Sequence, residues 1–414
     1  MMKTLYESSR MDAATAMDLT IASLNTYGPR HEHWGIAWSR GKDSTSLLTM
    51  VVYLIESGKI QRPKSLTVLS ADTRLELTPL EMAAAEIIEA LRDRGIEVRV
   101  VLPEMDKRFF VYMLGRGVPP PNNMTLRWCT PQMKIVPMER ELRRLTAERG
   151  TGGKLLMLTG VRQGESAMRD GRIAMSCGRD GAECGQGWYQ ECLASDGVTT
   201  LAPLLHWRVC HIWHWLRDWA PQAQFGEWPT RMLAEAYGGD EAEELNCRTG
   251  CICCPLASRD QALDAICRMP QWSYLRPLKE LRTLYEHLRL PECRLRQPGG
   301  ERRKDGTLTD NQHRMGPLTM DARRRALATV LGIQQRINRT AAESGRLPID
   351  ILNVEEADRI MELMEANTWP NKWTGDEPLA TEPFEDGTGP TLFDDDFLTD
   401  TAPAVGTGAA VEVE

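Results

Sequence analysis

The sequence predicts an α/β fold: a mostly parallel sheet with helices on both faces, followed by a helical C-terminal extension. Two observations predict it. Between residues 34 and 102 short apolar runs of strand length alternate with longer helical patterns, and that alternation packs as a parallel sheet covered on both sides. The apolar runs also end in polar turns, 39–45 after the first and 72–76 after the second. Sheets of this class bind ligands at the carboxyl ends of their strands, so the two turns are expected to converge.

Residues 1–28 read as a helical lead-in, with Met11, Ala14, Met17, Ile21 and Leu24 at three- and four-residue spacing. His31 and His33 are expected at the surface. Residues 34–38 are apolar and bulky, a buried strand, and Leu47, Leu48, Met50, Val51, Val52 and Leu54 carry the helix that follows. A second strand covers 66–72, a helix 77–91 with Pro79 in its first turn, and a third strand 97–102. A loop over 115–123 precedes Arg127-Trp128-Cys129-Thr130 and a charged helix over 131–148. The strand at 155–161 runs straight into a polar stretch at 162–169. Residues 170–195 are Gly-rich and without period; 201–207 is a short strand or extended segment, and 209–219 is helical. Helices follow over 258–268, 277–288, 319–340 and 354–366, with a polar loop at 296–316. From about residue 371 the Gly, Pro, Asp, Thr and Glu content predicts disorder. The expected organisation is a lead-in to 28, an α/β domain with the cysteine cluster over 29–255, a mainly helical region over 256–370 and an acidic tail over 371–414.

A chain of 414 residues, 42% of them hydrophobic, holds one large domain with an appendage or two domains. The net charge of −8 excludes a globally basic nucleic-acid coat. Much of the acid sits in the tail, so a local basic face remains open. No apolar leader begins the chain, and no stretch approaches the ~18 apolar residues of a membrane span. A cytoplasmic protein without a membrane partner is expected. There, eleven cysteines point to metal binding or redox chemistry rather than disulfides.

A strand, a Gly-containing polar turn and a helix start make an anion site, because the first helical N–H groups are free to meet the ligand. Lys42 adds charge, and Ser39, Ser44 and Thr45 add hydroxyl donors. The stretch is not the GxxxxGKS/T loop, since one Gly precedes the Lys and Asp43 follows it. A carboxylate beside a bound anion fits if it faces Mg²⁺ or orients the loop, which suggests a nucleotide with magnesium. Arg162 and Arg169 are placed to clamp further phosphates, with Glu165 to hold one of them. Arg323, Arg324 and Arg325 form either a nucleic-acid contact or a solvated helical face. Cys247, Cys251 and Cys254 offer three thiolates at close spacing, a soft donor set for zinc or an iron–sulfur cluster if they are not simply buried thiols. Cys129 is the expected fourth ligand. Cys253 is a substitute for Cys254, and Cys267 and Cys293 are outside candidates.

These residues carry a resemblance. Ser39-Arg-Gly-Lys-Asp-Ser44 is similar to the SxGKDS pyrophosphate-binding loop of the phosphoadenylyl-sulfate (PAPS) reductase-like, adenine-nucleotide α-hydrolase superfamily, also called PP-loop ATP pyrophosphatases. Gly160-Val-Arg162-Gln-Gly-Glu165-Ser-Ala-Met-Arg169 resembles its GxRxxES..R motif. Within the superfamily the chain most resembles the DndC/SspD group of DNA phosphorothioation proteins. The features are Arg127–Thr130 followed by Lys134 and Pro137, Pro203 and Trp207 before Trp213, the cysteine block, and Gly316-Pro-Leu-Thr319 before an arginine-bearing helix. The likeness spans roughly 30–365. Arg40 departs from it, standing where Gly is common, and the gap from Cys247 to Cys251 is shorter than in the group.

The resemblance implies a 4Fe–4S cluster held by Cys129, Cys247, Cys251 and Cys254, near a site for ATP and Mg²⁺. It implies that Ser39, Gly41, Lys42, Asp43, Ser44 and Thr45 hold the ATP phosphates, with Asp72 and Thr73 near the adenosine and Gly160, Arg162 and Glu165 completing the site. Lys42, Asp43, Arg162 and Arg169 are then the catalytic set. The implied activity is ATP cleavage to AMP and pyrophosphate, adenylation of a DNA backbone phosphate, and its replacement by sulfur. The implied partners are double-stranded DNA, a cysteine desulfurase as sulfur donor and other phosphorothioation-system proteins. The alternatives are a sulfonucleotide reductase or tRNA-thiolating enzyme of the same fold, and a non-catalytic iron–sulfur subunit that binds DNA.

Overall fold

Strands β1 (His33–Ala37), β2 (Ser65–Ala71) and β4 (Leu155–Thr159) are mostly buried, as continuous apolar runs in a parallel sheet must be. The computed structural model describes residues 11–123, 126–149, 155–165, 170–171, 173, 188–190, 198–238, 250–300, 306–309, 311 and 313–383. Its chain divides into two units.

The first unit takes in Met1–Pro103, Pro131–Cys251 and Gln261–Ser273. With β3 (Glu97–Val101), β5 (Trp188–Gln190) and β6 (Val198–Ala202), the sheet has the order β3-β2-β1-β4-β6-β5. All pairings are parallel except that of β5 with β6. The expected mostly parallel α/β sheet is therefore what forms. From β1 the chain builds toward β2 and β3 on one side and returns to β4 on the other. The crevice beyond β1 and β4 is the point where strand order reverses, which is where open sheets of this kind bind ligands.

Helix α2 (Lys42–Glu56) joins β1 to β2 and is buried from Ser44 to Ile55. In a helix so enclosed most hydroxyl groups find internal partners, Ser46 Oγ being an exception. Trp38 Nε1 donates to Thr45 Oγ1 at 2.9 Å, Trp215 Nε1 donates to Thr49 Oγ1 at 2.9 Å, and Thr49 Oγ1 donates to the Thr45 carbonyl at 2.8 Å. On the sheet, α4 (Val136–Arg149) packs Leu145, Leu142 and Met138 against Leu69, Leu155, Met157 and Val198. The lead-in becomes α1 (Ala13–Tyr27), whose N-cap Asp12 accepts the Thr15 N–H at 2.7 Å; α3 (Thr78–Asp93) follows β2. His31 and His33 are buried, not superficial. Each has a local partner: the Tyr27 carbonyl for His31 Nδ1, at 3.2 Å, and Ser65 Oγ for His33 Nδ1, at 2.7 Å. Both facts reflect neighbours that apolar periodicity does not report. The helices expected over 131–148 and 209–219 each contain a π-helical turn, at Pro131–Ile135 and Trp215–Trp219, the latter after α5 (Val209–His214). Short helices α6 (Arg231–Glu235) and α7 (Gln261–Ile266) complete the unit.

The second unit takes in Glu104–Thr130, Ile252–Asp260 and Tyr274–Glu414. It holds α8 (Glu280–His287), α9 (Met320–Glu343) and α10 (Val354–Glu365). A hairpin of β7 (Arg294–Arg296) and β8 (Met315–Leu318) occupies part of the expected polar loop; its strands are too short, and β8 too rich in Gly and Pro, to show alternation. Arg323 is wholly buried, which removes it from any nucleic-acid face. Its guanidinium donates to the carbonyls of Leu114 at 2.6 Å, Gly115, and Thr368 at 3.0 Å, and lies over the Trp369 ring at 5.1 Å. It thereby caps the carbonyl end of the π-turn Val111–Gly115. Burial first, and Arg324 second, lower its pKa to about 10. Order also runs past residue 371. Trp373 closes on Gly316, Leu379 bridges Leu295, and Ala380 is buried, so small apolar anchors offset the polar composition of 371–383. Among the described residues no helix is long and apolar enough to cross a membrane.

Candidate active site

β1 ends at Ala37, and Trp38 N–H still bonds to the Leu69 carbonyl at 2.8 Å, carrying the chain to the sheet's edge before it turns. Ser39 N–H donates to Ser44 Oγ at 3.1 Å, the Ser39 and Ser44 hydroxyls lie 3.0 Å apart, and Ser44 Oγ donates to the Gly41 carbonyl at 3.1 Å. The loop is thus folded on its own hydroxyls. Gly41 is the N-cap of α2 and brings no side-chain cap, so the helix start keeps backbone donors and the positive end of its dipole for a ligand.

The turn requires a left-handed residue, and that residue is Arg40, with φ of 63°. Its guanidinium is buried, Nε donating to Ser70 Oγ at 3.2 Å and Nη2 lying 3.3 Å from Asp72 Oδ2. Arg40 therefore ties the turn after β1 to the turn after β2, which accounts for an arginine where Gly is common.

Asp43 sits between two cations. Its Oδ2 is 3.0 Å from Lys42 Nζ and its Oδ1 is 2.5 Å from Arg162 Nε. One carboxylate offsets one of two positive charges, so the cluster keeps a net positive charge beside the helix start. Gly160 lets β4 reach it: a Cβ there would lie 2.8 Å from Ser44 N and 2.9 Å from the Asp43 carbonyl carbon. The role of Gly160 is close backbone approach. Arg162 is buried just beyond. Lys42 N–H donates to Tyr237 Oη at 2.9 Å, and Lys42 Nζ lies 5.3 Å from the centre of the Tyr237 ring.

The turn after β2 is built on Glu76, which accepts from Thr73 N–H at 3.2 Å, Thr73 Oγ1 at 2.7 Å and Leu75 N–H at 3.1 Å. Carboxylate oxygens of Asp72, Glu76 and Glu81 all lie within 4.8 Å of one another. Glu81 is exposed as a residue, yet the crowding of its carboxyl against the turn, and then Glu76 and Asp72, push it up to about 7.

The cysteines divide between the units. In the first, Cys251 Sγ is 3.8 Å from Thr73 Oγ1, beside the β2 turn. In the second, burial and then the charge of Cys254 raise the pKa of Cys129, so these two thiols feel one another. Cys253 is turned inward: its Sγ donates to the Leu278 carbonyl at 3.0 Å and it is buried. A thiol spent on a backbone carbonyl is a poorer ligand than its half-exposed neighbour Cys254. Cys293 is buried 3.5 Å from His287 Nε2. Cys247 and Arg169 lie outside the described residues.

Residues 33–220 match the phosphoadenosine phosphosulfate reductase domain family. The match begins at β1 and contains the loop at 39–45, Asp72, Gly160 and Arg162. No curated protein matches the chain significantly. Among solved structures, a phosphoadenylyl-sulfate reductase from Candida auris aligns at 11% identity and a TM-score of 0.31, covering 51% of this chain and 88% of its own. The U34-tRNA thiolase NcsA from Methanococcus maripaludis, a structure with its 4Fe–4S cluster, aligns at 15% identity and a TM-score of 0.30, covering 66% of this chain and 78% of its own.

In the matched region the expected residues Ser39, Gly41, Lys42, Asp43, Ser44, Thr45, Gly160 and Arg162 gather at the ends of β1 and β4. Asp72 and Thr73 stand at the end of β2, bound to the same loop through Arg40. The arrangement can hold an anion at a helix start between a lysine and an arginine. Sequence reasoning missed Tyr237 and Glu81. Glu81 follows the β2 turn in an ordinary amphipathic pattern, and Tyr237 is remote in sequence from the loop it touches.

Proposed function

We propose that the chain is an ATP pyrophosphatase-type enzyme that incorporates sulfur into the DNA backbone. The observation that carries the nucleotide half is the junction of β1, β4 and α2, where Lys42 and Arg162 converge on Asp43 beside the start of α2. ATP would place its phosphates there, and the same groups would stabilise the charge that develops on departing pyrophosphate. Asp43 would position Lys42 and Arg162; a Mg²⁺ ion would compete with them for its oxygens. A DNA backbone phosphate oxygen would attack the ATP α-phosphorus and release pyrophosphate; the terminal sulfur of a desulfurase persulfide would then attack the DNA phosphorus and displace AMP, and a thiol reductant such as the excess cysteine would cleave the S–S bond that remains. The DNA half rests on the DndC/SspD-like motifs from Arg127 to Thr319. Cys129, Cys251, Cys254 and Cys247 are thiol donors that suit a 4Fe–4S cluster; such a group would supply a redox-active or sulfur-binding centre. A second reading is sulfonucleotide reduction or tRNA thiolation on the same fold; the family match over 33–220 favours the first of these.

Protein purified without oxygen is incubated with ATP, Mg²⁺, double-stranded DNA and a desulfurase with cysteine. Pyrophosphate release, and nuclease-resistant dinucleotides detected by mass spectrometry, are expected. Lys42→Ala should abolish release while leaving iron and sulfide content intact. Release that survives Lys42→Ala refutes the phosphate assignment; pyrophosphate release with tRNA but not DNA, or sulfite release from a sulfonucleotide and a dithiol, selects the second reading.

A further inference from the structure

We infer that Tyr237 is the positioning residue of the phosphate loop, holding Lys42 by its backbone and its ammonium at once. The inference rests on the nucleotide reading of the loop. A helix start offers a small set of unpaired N–H groups, and Tyr237 Oη takes the one on Lys42 at 2.9 Å. That fixes the first turn of α2 at Lys42, next to the point where Gly160 packs against the backbone of Asp43 and Ser44. The same tyrosine presents its ring 5.3 Å from Lys42 Nζ, a distance at which the ring quadrupole attracts an ammonium. Asp43 pulls Lys42 Nζ from another direction, at 3.0 Å. The ammonium is thus held between a carboxylate and an aromatic face, in a buried side chain.

Tyr237 is itself held. Its ring packs edge-on against Trp213 on α5, with centroids 5.1 Å apart and an interplanar angle of 74°, and both side chains are buried. A Cβ on Gly41 would lie 3.3 Å from Tyr237 Oη, so the small residue at that position also makes room for the hydroxyl. Loop, lysine and tyrosine therefore form one packed unit in which the anion-binding groups are set before any anion arrives. Such preorganisation strengthens binding because less order remains to be imposed by the ligand.

The test uses the full chain, purified without oxygen, titrated calorimetrically with inorganic pyrophosphate and with a non-hydrolysable ATP analogue. Tyr237→Phe removes the hydroxyl and keeps the ring; it should weaken both ligands about fivefold, the scale of one hydrogen bond. Tyr237→Leu removes the ring as well and should weaken them about twentyfold or more. In pyrophosphate release, Tyr237→Phe should raise KM for ATP by a larger factor than it lowers kcat. Wild-type binding that the two substitutions leave intact, or that Tyr237→Phe tightens, overturns the inference and spares the nucleotide reading. Absence of binding in the wild type overturns the nucleotide reading, and this inference with it.

Discussion

Arg40 combines a backbone cost with a side-chain gain, and two substitutions separate them. An L-residue in the left-handed region costs about 1–2 kcal/mol, which Gly avoids. Against this, the buried guanidinium is 3.3 Å from Asp72 and donates to Ser70 Oγ at 3.2 Å, and hydrogen bonds to charged groups contribute about 1.5–3 kcal/mol. Arg40→Ala keeps the backbone cost, loses the bonds and leaves the Asp72 carboxylate, whose side chain is 18% exposed, without its cation. The expected loss is about 3 kcal/mol. Arg40→Gly loses the same bonds but recovers about 1 kcal/mol of backbone cost, net of glycine's greater freedom when unfolded. Its expected loss is about 2 kcal/mol. In an Arg40→Gly background, Asp72→Asn should cost little, because its charge has already lost its partner. Hydrogen exchange of peptides covering 33–56, read by mass spectrometry at increasing urea, measures the local free energy without assuming that the two units unfold together. Arg40→Ala proving as stable as Arg40→Gly would refute the backbone argument. Wild-type protection in Arg40→Gly would show that the tie to Asp72 contributes nothing.

Gly160→Ala should destabilise the first unit by about 1–3 kcal/mol, because the added Cβ meets backbone rather than a side chain that can move; it should also weaken nucleotide binding, read in the same titration, and unchanged affinity would refute the close-approach argument. Glu81 sets a pH dependence. Its folded pKa of about 7 lies above the ordinary 4.5, so the folded state keeps a proton that the unfolded state has lost. Stability from this group is full below pH ~4.5 and is lost as pH rises to ~7. Glu81→Gln should therefore raise the melting temperature at pH 8 and leave it unchanged at pH 4; equal gains at both would remove the charge explanation.

The sheet was legible because strands buried on both faces are continuous apolar runs, and 34–38, 66–72 and 155–161 announce themselves. The loop at 39–45 was legible because a lysine between Gly and Asp at a helix start has few other uses. The internal arrangement was not. That Asp43 would meet Arg162 depends on β4 lying next to β1, a pairing that no local pattern encodes, and the pairing of Lys42 with Tyr237 crosses 195 residues. Arg323 misled for a related reason. Three consecutive arginines on a helix look like a solvated or nucleic-acid face, yet Arg325 pairs with Asp321 on the surface while Arg323 turns inward. A helix sends consecutive side chains in different directions, and only packing decides which charge is enclosed.

The carbonyl end capped by Arg323 imposes an order on synthesis. Gly115 and Arg323 are 208 residues apart, and at about 5–20 residues per second a ribosome needs ~10–40 s to bring the second after the first. The last first-unit segment, Gln261–Ser273, emerges before Arg323 does. A nascent chain thus has every strand of its six-stranded sheet available while the Leu114 and Gly115 carbonyls still lack the guanidinium that caps them. The six-stranded sheet is the part that can close first, and the second unit is completed only when α9 and then Thr368 arrive.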